Sequence, residues 1–224
     1  MSWIRSRPNS RRCKRSDSWL FRVMRIYLVG YMSAGKSTTS KRLAQRLGFE
    51  QYDTDHLFEE RFKIATNDFF NKYDEPLYRK LETQILQSTV NYDNAVIATG
   101  GGTACFNDNM EWMNQHGITV FLRISPKTAI DRLSHSKVRR PLVFNKTPEE
   151  LEAFIQTNYV ARMPFYEQAQ LTVKGENLDL ELLINAINGL NPPASTPAAL
   201  LESYSRQVDV SPWNEADDRR KSRG

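Results

Sequence analysis

The stretch Gly30 to Ser37, which reads GYMSAGKS, decides the fold of the chain. It follows a short apolar run, Ile26 to Val29, and precedes a stretch with helical periodicity, Thr38 to Leu47, in a helix predicted to begin at about Lys36. This order of strand, glycine loop and helix is the context that the phosphate-binding pattern G-x-x-x-x-G-K-[ST] requires. The glycines let successive N–H groups turn towards an anion, and the helix N-terminus adds positive potential there. The pattern therefore predicts a nucleotide-binding loop, called the phosphate loop below.

The residue types of the phosphate loop suit phosphoryl transfer. Lys36 would reach the β- and γ-phosphates, and the Ser37 hydroxyl would hold Mg²⁺. A strand-to-helix turn that matches the pattern by accident is the alternative, and the flanking strand and helix disfavour it. The residues expected to contact ATP here are Gly30, Ser33, Ala34, Gly35, Lys36, Ser37 and Thr38.

The composition is that of a globular protein without a membrane span. Of the 224 residues, 40% are hydrophobic, and no apolar run approaches the roughly 20 residues of a transmembrane helix. Cys13 and Cys105 fit neither a metal-binding spacing nor a disulfide framework. We therefore expect a reducing compartment, the cytoplasm, and no membrane partner.

The net charge of +5 comes from one end of the chain. Residues 1–23 hold seven Arg or Lys and one Asp, whereas the remainder holds 24 basic and 25 acidic residues. This basic segment is predicted to be disordered, and its favoured interpretation is an inert or artefactual extension, with Met24 as the natural start. An organelle transit peptide and a nucleic-acid-binding arm stay open. The folded body lacks the basic balance of a nucleic-acid-binding domain, so no nucleic-acid partner is expected.

Strands alternate with helices from Met24 to Leu190, which predicts parallel βαβ units in an α/β domain. The helical pattern of Glu149 to Tyr159 is expected to stop before a separate turn at Pro164. Residues 134–148 are polar, basic and aperiodic, and residues 191–224 are predicted to be a disordered tail. The five predicted strands are Arg25 to Val29, Phe49 to Tyr52, Ala95 to Ala98, Ile118 to Ile124 and Leu171 to Lys174.

Two carboxylates follow the second predicted strand. Asp53 and Asp55 are two residues apart, and side chains with this spacing on a strand point the same way. Both would then face the phosphate loop, one to position Mg²⁺ and one to orient the attacking hydroxyl group. The alternative is that one of them only caps the next helix.

Gly100, Gly101 and Gly102, the glycine triplet, directly follow the third predicted strand. Three glycines expose backbone N–H groups and let a small ligand approach the chain closely. This favours a substrate-binding surface over a flexible turn.

Two arginines gain significance only if the substrate is a carboxylate. Arg79 and Glu82 lie three residues apart on one predicted helix, and this spacing alone favours an exposed pair of small energetic value. Arg162 would likewise be a surface residue by default. A carboxylate substrate reverses both interpretations, because guanidinium groups bind carboxylates bidentately.

In the order of its motifs the chain resembles the shikimate kinase family of P-loop enzymes, over Met24 to about Leu190. The family's phosphate loop, paired aspartates, Arg-x-x-Glu helix and glycine triplet all have counterparts among the residues above. Arg140-Pro141-Leu142 resembles the lid sequence, and Arg162-x-Pro164-x-Tyr166 the late arginine element. Ser33 stands where the family often has glycine. The resemblance implies a three-layer P-loop kinase fold, with a five-stranded parallel sheet flanked by helices and a mobile lid at about residues 134–148.

The resemblance also implies a reaction: ATP, with Mg²⁺, phosphorylates the 3-hydroxyl group of shikimate. Lys36, Asp55 and Arg140 would be catalytic, with Arg140 also contacting ATP from the lid. Ser37 and Asp53 would hold Mg²⁺. The residues implied to bind shikimate are Asp55, Arg79, Glu82, Gly101, Gly102 and Arg162. A monomer is implied as well.

Two other functions are compatible with part of this pattern. Another small-molecule kinase, such as a gluconate kinase, would share the phosphate loop but would not need two arginines beside a glycine triplet. A non-catalytic nucleotide-binding module would not need Asp55 or a basic lid, and it would bind nucleic acid with a strong salt dependence.

Overall fold

A computed structural model describes residues 24–135 and 147–190 of the chain. Within them, five parallel strands form one sheet in the order β2-β3-β1-β4-β5. The strands are β1 (Arg25–Val29), β2 (Glu50–Asp53), β3 (Ala95–Ala98), β4 (Ile118–Arg123) and β5 (Leu171–Lys174). The predicted five-stranded parallel sheet is confirmed.

The middle strands are apolar because both faces of the sheet are covered. Ile26 of β1 pairs with Val96 of β3 on one side and with Ile118 of β4 on the other. All four residues of β3 are buried, as expected for a parallel sheet between helical layers.

The connection from β1 to β2 and that from β3 to β4 run in opposite directions along the sheet. Because crossovers are right-handed, connections that run in opposite directions lie on opposite faces of the sheet. β1 and β3 are neighbours where the direction changes, and a ligand cleft is expected at the carboxyl ends of such a strand pair.

Eight α-helices accompany the sheet in the described ranges, and their ends follow from local sequence. Gly48 ends α1 in the left-handed conformation, with a φ of 68°. Asp74 caps α4 by accepting a hydrogen bond from the Leu77 N–H. The helices are α1 (Lys36–Leu47), α2 (Thr54–Phe62), α3 (Thr66–Lys72), α4 (Glu75–Ser88), α5 (Asn109–His116), α6 (Pro126–Ser134), α7 (Pro148–Tyr166) and α8 (Leu180–Leu190).

The main core lies against the sheet, and a second, mostly aromatic cluster joins α2, α3 and α4. Phe58, Phe69 and Tyr78 pack edge-on or tilted in this cluster, with ring centroids 5.0 to 6.0 Å apart. The cluster anchors α4, the helix that carries Arg79 and Glu82, to the rest of the domain.

Two predictions of local structure are corrected. The helix that was expected to stop before a separate turn at Pro164 is continuous, since α7 includes Pro164. Phe165 and Tyr166 continue the helix after the proline, and the Glu167 N–H still bonds to the Met163 carbonyl oxygen. The second correction concerns α2, which begins at Thr54 and so takes Asp55 out of the strand.

Several predictions lie outside the described residues. They are the interpretations of residues 1–23 and 191–224, most of the predicted lid (residues 136–146), and the role of Arg140. In the two described ranges, none of the helices is both long and apolar enough to cross a membrane.

Candidate functional site

The phosphate loop connects β1 to α1 through backbone conformations that few side chains tolerate. Gly30 has a φ of 140°, and a Cβ there would lie 2.7 Å from the Leu122 carbonyl oxygen. Ser33 and Gly35 also have positive φ values, 63° and 91°. Gly35 caps α1 without a side-chain hydrogen bond, so the first N–H groups of the helix are left to an anion.

Lys36 lies along the inside of the phosphate loop. Its side chain is buried, and Nζ donates to the carbonyl oxygens of Gly30 at 2.7 Å and Tyr31 at 2.9 Å. The ammonium group is thus held at the loop by its own backbone. Among the other predicted ATP contacts, Ala34 is buried, whereas Ser37 and Thr38 are exposed at the start of α1.

Ser37 and Asp53 meet at the end of β2. The Ser37 hydroxyl group donates to Asp53 Oδ2 at 2.6 Å, and Asp53 Oδ1 accepts from the Asp55 N–H at 3.1 Å. Asp53 therefore caps α2 and contacts the phosphate loop at the same time. Two adjacent hard oxygen donors, one of them a carboxylate, fit Mg²⁺ chemistry.

The strand argument for Asp55 is wrong, although the residue still faces the site. Asp55 belongs to the first turn of α2, so strand alternation does not align it with Asp53. Its Oδ1 instead lies 2.9 Å from the position of a Cβ on Gly100. The helix turn, and not the strand, brings this carboxylate to the glycine triplet.

The glycine triplet is a close-packed segment. The Gly100 N–H donates to the Thr54 hydroxyl group at 3.0 Å, and both residues are buried. A Cβ on Gly101 would lie 3.2 Å from the Met32 amide nitrogen, at the phosphate loop. The flexible-turn interpretation therefore fails, and the triplet brings the β3 end directly against the phosphate loop.

We expect Gly100→Ala to lower kcat/KM by about 100-fold, the size of effect that a 1 Å misplacement of catalytic groups produces. The new Cβ would lie 2.8 Å from Thr103 Oγ1 and 2.9 Å from both Asp55 Oδ1 and Glu82 Oε1. Steady-state kinetics checks this. Gly48→Ala is the control, because a Cβ there meets nothing within 4 Å, and it should lower only the melting temperature. Unchanged kinetics for Gly100→Ala would show that these three groups can shift freely.

Arg79 and Glu82 form a buried pair, which overturns the exposed-pair interpretation. Their exposed fractions are 7% and 3%, and Arg79 Nη1 donates to Glu82 Oε2 at 2.9 Å. The Thr103 hydroxyl group donates to Glu82 Oε1 at 2.6 Å. Burial opposes the charge of Arg79, but Glu82 and Glu75 outweigh it and raise the pKa of the guanidinium group above its ordinary value. The arginine is a fixed cation at all accessible pH values.

Arg162 reaches the same place from α7. It is half-buried, and Nη1 donates to the Gly101 carbonyl oxygen at 3.3 Å. The Tyr166 hydroxyl group donates to the same oxygen, and the guanidinium carbon lies 5.7 Å from the centre of the Tyr31 ring. The surface interpretation of Arg162 is therefore wrong.

Three charged side chains of the predicted site border different glycines of the triplet. Asp55 borders Gly100, and Arg162 contacts Gly101. Arg79 borders Gly102, because a Cβ there would lie 2.9 Å from Nη1. A carboxylate and two guanidinium groups converge beside a phosphate loop, which suits an acceptor that carries both a hydroxyl group and a carboxylate.

Sequence reasoning missed three residues around this site. Glu75 bonds to Arg79, and its spacing of four residues on a helix was a usable signal. Thr103 bonds to Glu82 across 21 residues, a contact for which the sequence offers no signal. Arg132 Nη1 donates to the carbonyl oxygen of Ser33 in the phosphate loop at 2.9 Å.

We expect Tyr31→Phe to raise the melting temperature by about 3 °C. The Tyr31 hydroxyl group is buried and finds no hydrogen-bond partner among the residues that the structure covers. Burial raises its pKa to about 12, so the group stays neutral and its removal takes away only an unsatisfied dipole. Thermal unfolding checks this, with Tyr27→Phe as the matched control. That variant loses a 3.0 Å contact to Thr89 and should melt lower. A fall for both variants would mean that the Tyr31 hydroxyl group has a partner.

A family model described as shikimate kinase matches residues 32–187, well over half of the chain. The chain is 43% identical over 150 residues to a shikimate kinase of Azobacteroides pseudotrichonymphae, which covers 66% of this chain and 88% of the relative. It is 41% identical over 164 residues to a shikimate kinase of Phocaeicola vulgatus, covering 73% of this chain and 94% of the relative.

Solved structures give the same result. The crystal structure of shikimate kinase from Bacteroides thetaiotaomicron matches with a TM-score of 0.69 and 39% identity, over 75% of this chain and 98% of that one. A shikimate kinase from Acinetobacter baumannii in complex with shikimate matches with a TM-score of 0.68 and 30% identity, over 79% of this chain and 97% of that one.

Proposed function

The chain belongs to the shikimate kinase family, and we propose that it transfers the γ-phosphoryl group of ATP to the 3-hydroxyl group of shikimate at the glycine triplet. The observation that carries the site assignment is the arrangement of three charged side chains around that triplet. Asp55, Arg162 and Arg79 lie at Gly100, Gly101 and Gly102 in turn, beside the phosphate loop.

In the transfer step, the 3-hydroxyl oxygen of shikimate attacks the γ-phosphorus atom, and the bond from that phosphorus to the β–γ bridging oxygen breaks. ADP leaves, and the proton of the hydroxyl group passes to the Asp55 carboxylate. Lys36 would turn from the loop carbonyl groups to the phosphates and neutralise charge that develops on them. Such transfer depends mainly on positioning and electrostatics, which a rigid loop and triplet can supply.

Ser37 and Asp53 would hold Mg²⁺ together with the nucleotide. The 2.6 Å hydrogen bond between them supports this, because it brings a hydroxyl oxygen and a carboxylate oxygen to one point at the phosphate loop. When bound, the ion would neutralise phosphate charge and orient the nucleotide.

Arg79 and Arg162 would bind the carboxylate of shikimate. Two features support this assignment: both arginines lie against the glycine triplet, and a guanidinium group is a cation that can bind a carboxylate through two hydrogen bonds. Glu82 would hold Arg79 in place, and Gly101 and Gly102 would lie against the ring hydroxyl groups. Arg140 stays a sequence prediction as a catalytic and ATP-contacting residue of a lid at about residues 134–148.

We also propose that the enzyme is a cytoplasmic monomer whose partners are ATP and shikimate, without nucleic acid or membrane. The nearly neutral charge balance of residues 24–224 supports the absence of nucleic acid, since the basic excess lies in residues 1–23. Residues 24–190 would form the catalytic domain.

Product analysis tests the proposed function. The purified chain is incubated with ATP, Mg²⁺ and shikimate, and the phosphorylated carbon is identified by ¹H–³¹P correlation NMR. We expect shikimate 3-phosphate and an equal amount of ADP. Inorganic phosphate as the only phosphorus product besides ADP, or phosphate on another hydroxyl group, would overturn the proposal.

A further inference from the structure

The surroundings of Arg79 contain one residue that the proposed function does not use. A guanidinium group has five N–H donors arranged in a plane. Nε and Nη2 of Arg79 both donate to Glu75 Oε1, at 3.0 and 2.8 Å, while Nη1 donates to Glu82 Oε2. Two glutamates from the same helix therefore hold opposite parts of one cation.

These bonds leave two donors, one on Nη1 and one on Nη2, without a partner in residues 24–135 and 147–190. The same two nitrogens border Gly102, where a Cβ would lie 2.9 Å from Nη1 and 3.0 Å from Nη2. The Phe106 ring covers one face of the guanidinium group, with its centre 4.1 Å from the central carbon. Glu75, Glu82 and Phe106 thus fix the orientation of the guanidinium group. Its two remaining N–H donors, on Nη1 and Nη2, border the glycine triplet.

The two glutamates differ in environment. The Glu82 side chain is 4% exposed, whereas that of Glu75 is 51% exposed. An exposed salt bridge four residues apart on a helix ordinarily contributes little to stability. Glu75, however, bonds to a buried arginine. It accepts the hydrogen bonds from Nε and from one Nη2 donor, and a carboxylate substrate could otherwise bind at that edge of the guanidinium group.

We propose that Glu75 is a positioning residue for substrate recognition: it occupies the Nε edge of Arg79, so that the Nη1 and Nη2 donors are presented together to the substrate carboxylate. This inference rests on the proposed function, in which Arg79 binds that carboxylate. Without Glu75, the bond to Glu82 and the contact with Phe106 would still hold the guanidinium group, but its Nε edge would be available to the substrate. Substrate binding would then lose orientation, while the phosphate loop would be unaffected.

The test compares Glu75→Ala and Glu75→Gln with the wild type. KM and kcat are measured for shikimate, for methyl shikimate, whose ester removes the carboxylate charge, and for ATP. We expect Glu75→Ala to raise the KM for shikimate about tenfold, with the KM for ATP within twofold of the wild type. Glu75→Gln keeps an acceptor oxygen and should raise the KM for shikimate about threefold. The KM for methyl shikimate should be high in the wild type and rise no further in either variant.

Glu60→Ala is the matched control. Glu60 is exposed on the neighbouring helix α2, and its Oε1 lies 3.4 Å from Nε2 of His56, also four residues away. This variant should leave all three KM values unchanged, and thermal unfolding of every variant separates loss of folding from loss of binding.

The outcomes distinguish the inference from the function on which it rests. A wild-type protein that does not phosphorylate shikimate overturns both. An active wild type whose Glu75 variants behave like Glu60→Ala overturns the inference alone. So does a lowered KM for shikimate, which would mean that Glu75 competes with the substrate, or an equal change for shikimate and methyl shikimate.

Discussion

Asp55→Asn should lower kcat by about 1,000-fold while leaving ATP binding unchanged, because a positioned general base contributes roughly 10²- to 10⁴-fold. The amide keeps the size of the side chain but cannot take the proton of the attacking hydroxyl group. The helix start is preserved, since Asp53 and not Asp55 caps α2. Turnover is measured by coupled ADP release, and ATP affinity by isothermal titration.

Asp68→Asn is the matched control for this loss. Asp68 is an exposed carboxylate in the first turn of α3, so its removal makes the same chemical change at the start of a neighbouring helix. It should leave kcat within twofold of the wild type. If Asp55→Asn retains wild-type turnover, the carboxylate at Gly100 is not the base.

Arg79→Ala should lower kcat/KM for shikimate by about 100- to 1,000-fold, because it removes charge-assisted hydrogen bonds to the substrate carboxylate. It should also destabilise the fold by roughly 3 kcal/mol, since it leaves Glu82 buried without its cation. Kinetics for shikimate and for ATP, with thermal unfolding, separates the two effects.

The double variant Arg79→Ala, Glu82→Gln serves as the control for stability. Glutamine removes the buried charge, so the double variant should unfold at a higher temperature than Arg79→Ala and still bind shikimate poorly. Equal losses of affinity for ATP and shikimate in Arg79→Ala would contradict the assignment of Arg79 to the substrate carboxylate.

The phosphate loop and the sheet were predictable because their signals are local. The spacing from Gly30 to Ser37 fixes a strand, a loop and a helix together. β1, β3, β5 and α1 begin and end at the predicted residues. Apolar runs between turn residues are sufficient to locate buried parallel strands.

The surroundings of the site were not predictable from local pattern. The spacing of Arg79 and Glu82 indicates a shared helix face but not its burial, which depends on Thr103 and Phe106 more than 20 residues later. Arg162 contacts Gly101 across 61 residues, and only the resemblance to a family brought the two together. Asp55 was expected to align with Asp53 along the strand, but Asp53 both ends that strand and caps the next helix.

ADP release from ATP and Mg²⁺, with shikimate, quinate and gluconate offered in parallel, tests most directly whether this site phosphorylates shikimate. The arrangement of Asp55, Arg162 and Arg79 around the glycine triplet predicts rapid release with shikimate alone. Equally rapid release with gluconate, or no release with any acceptor despite tight ATP binding, would contradict it.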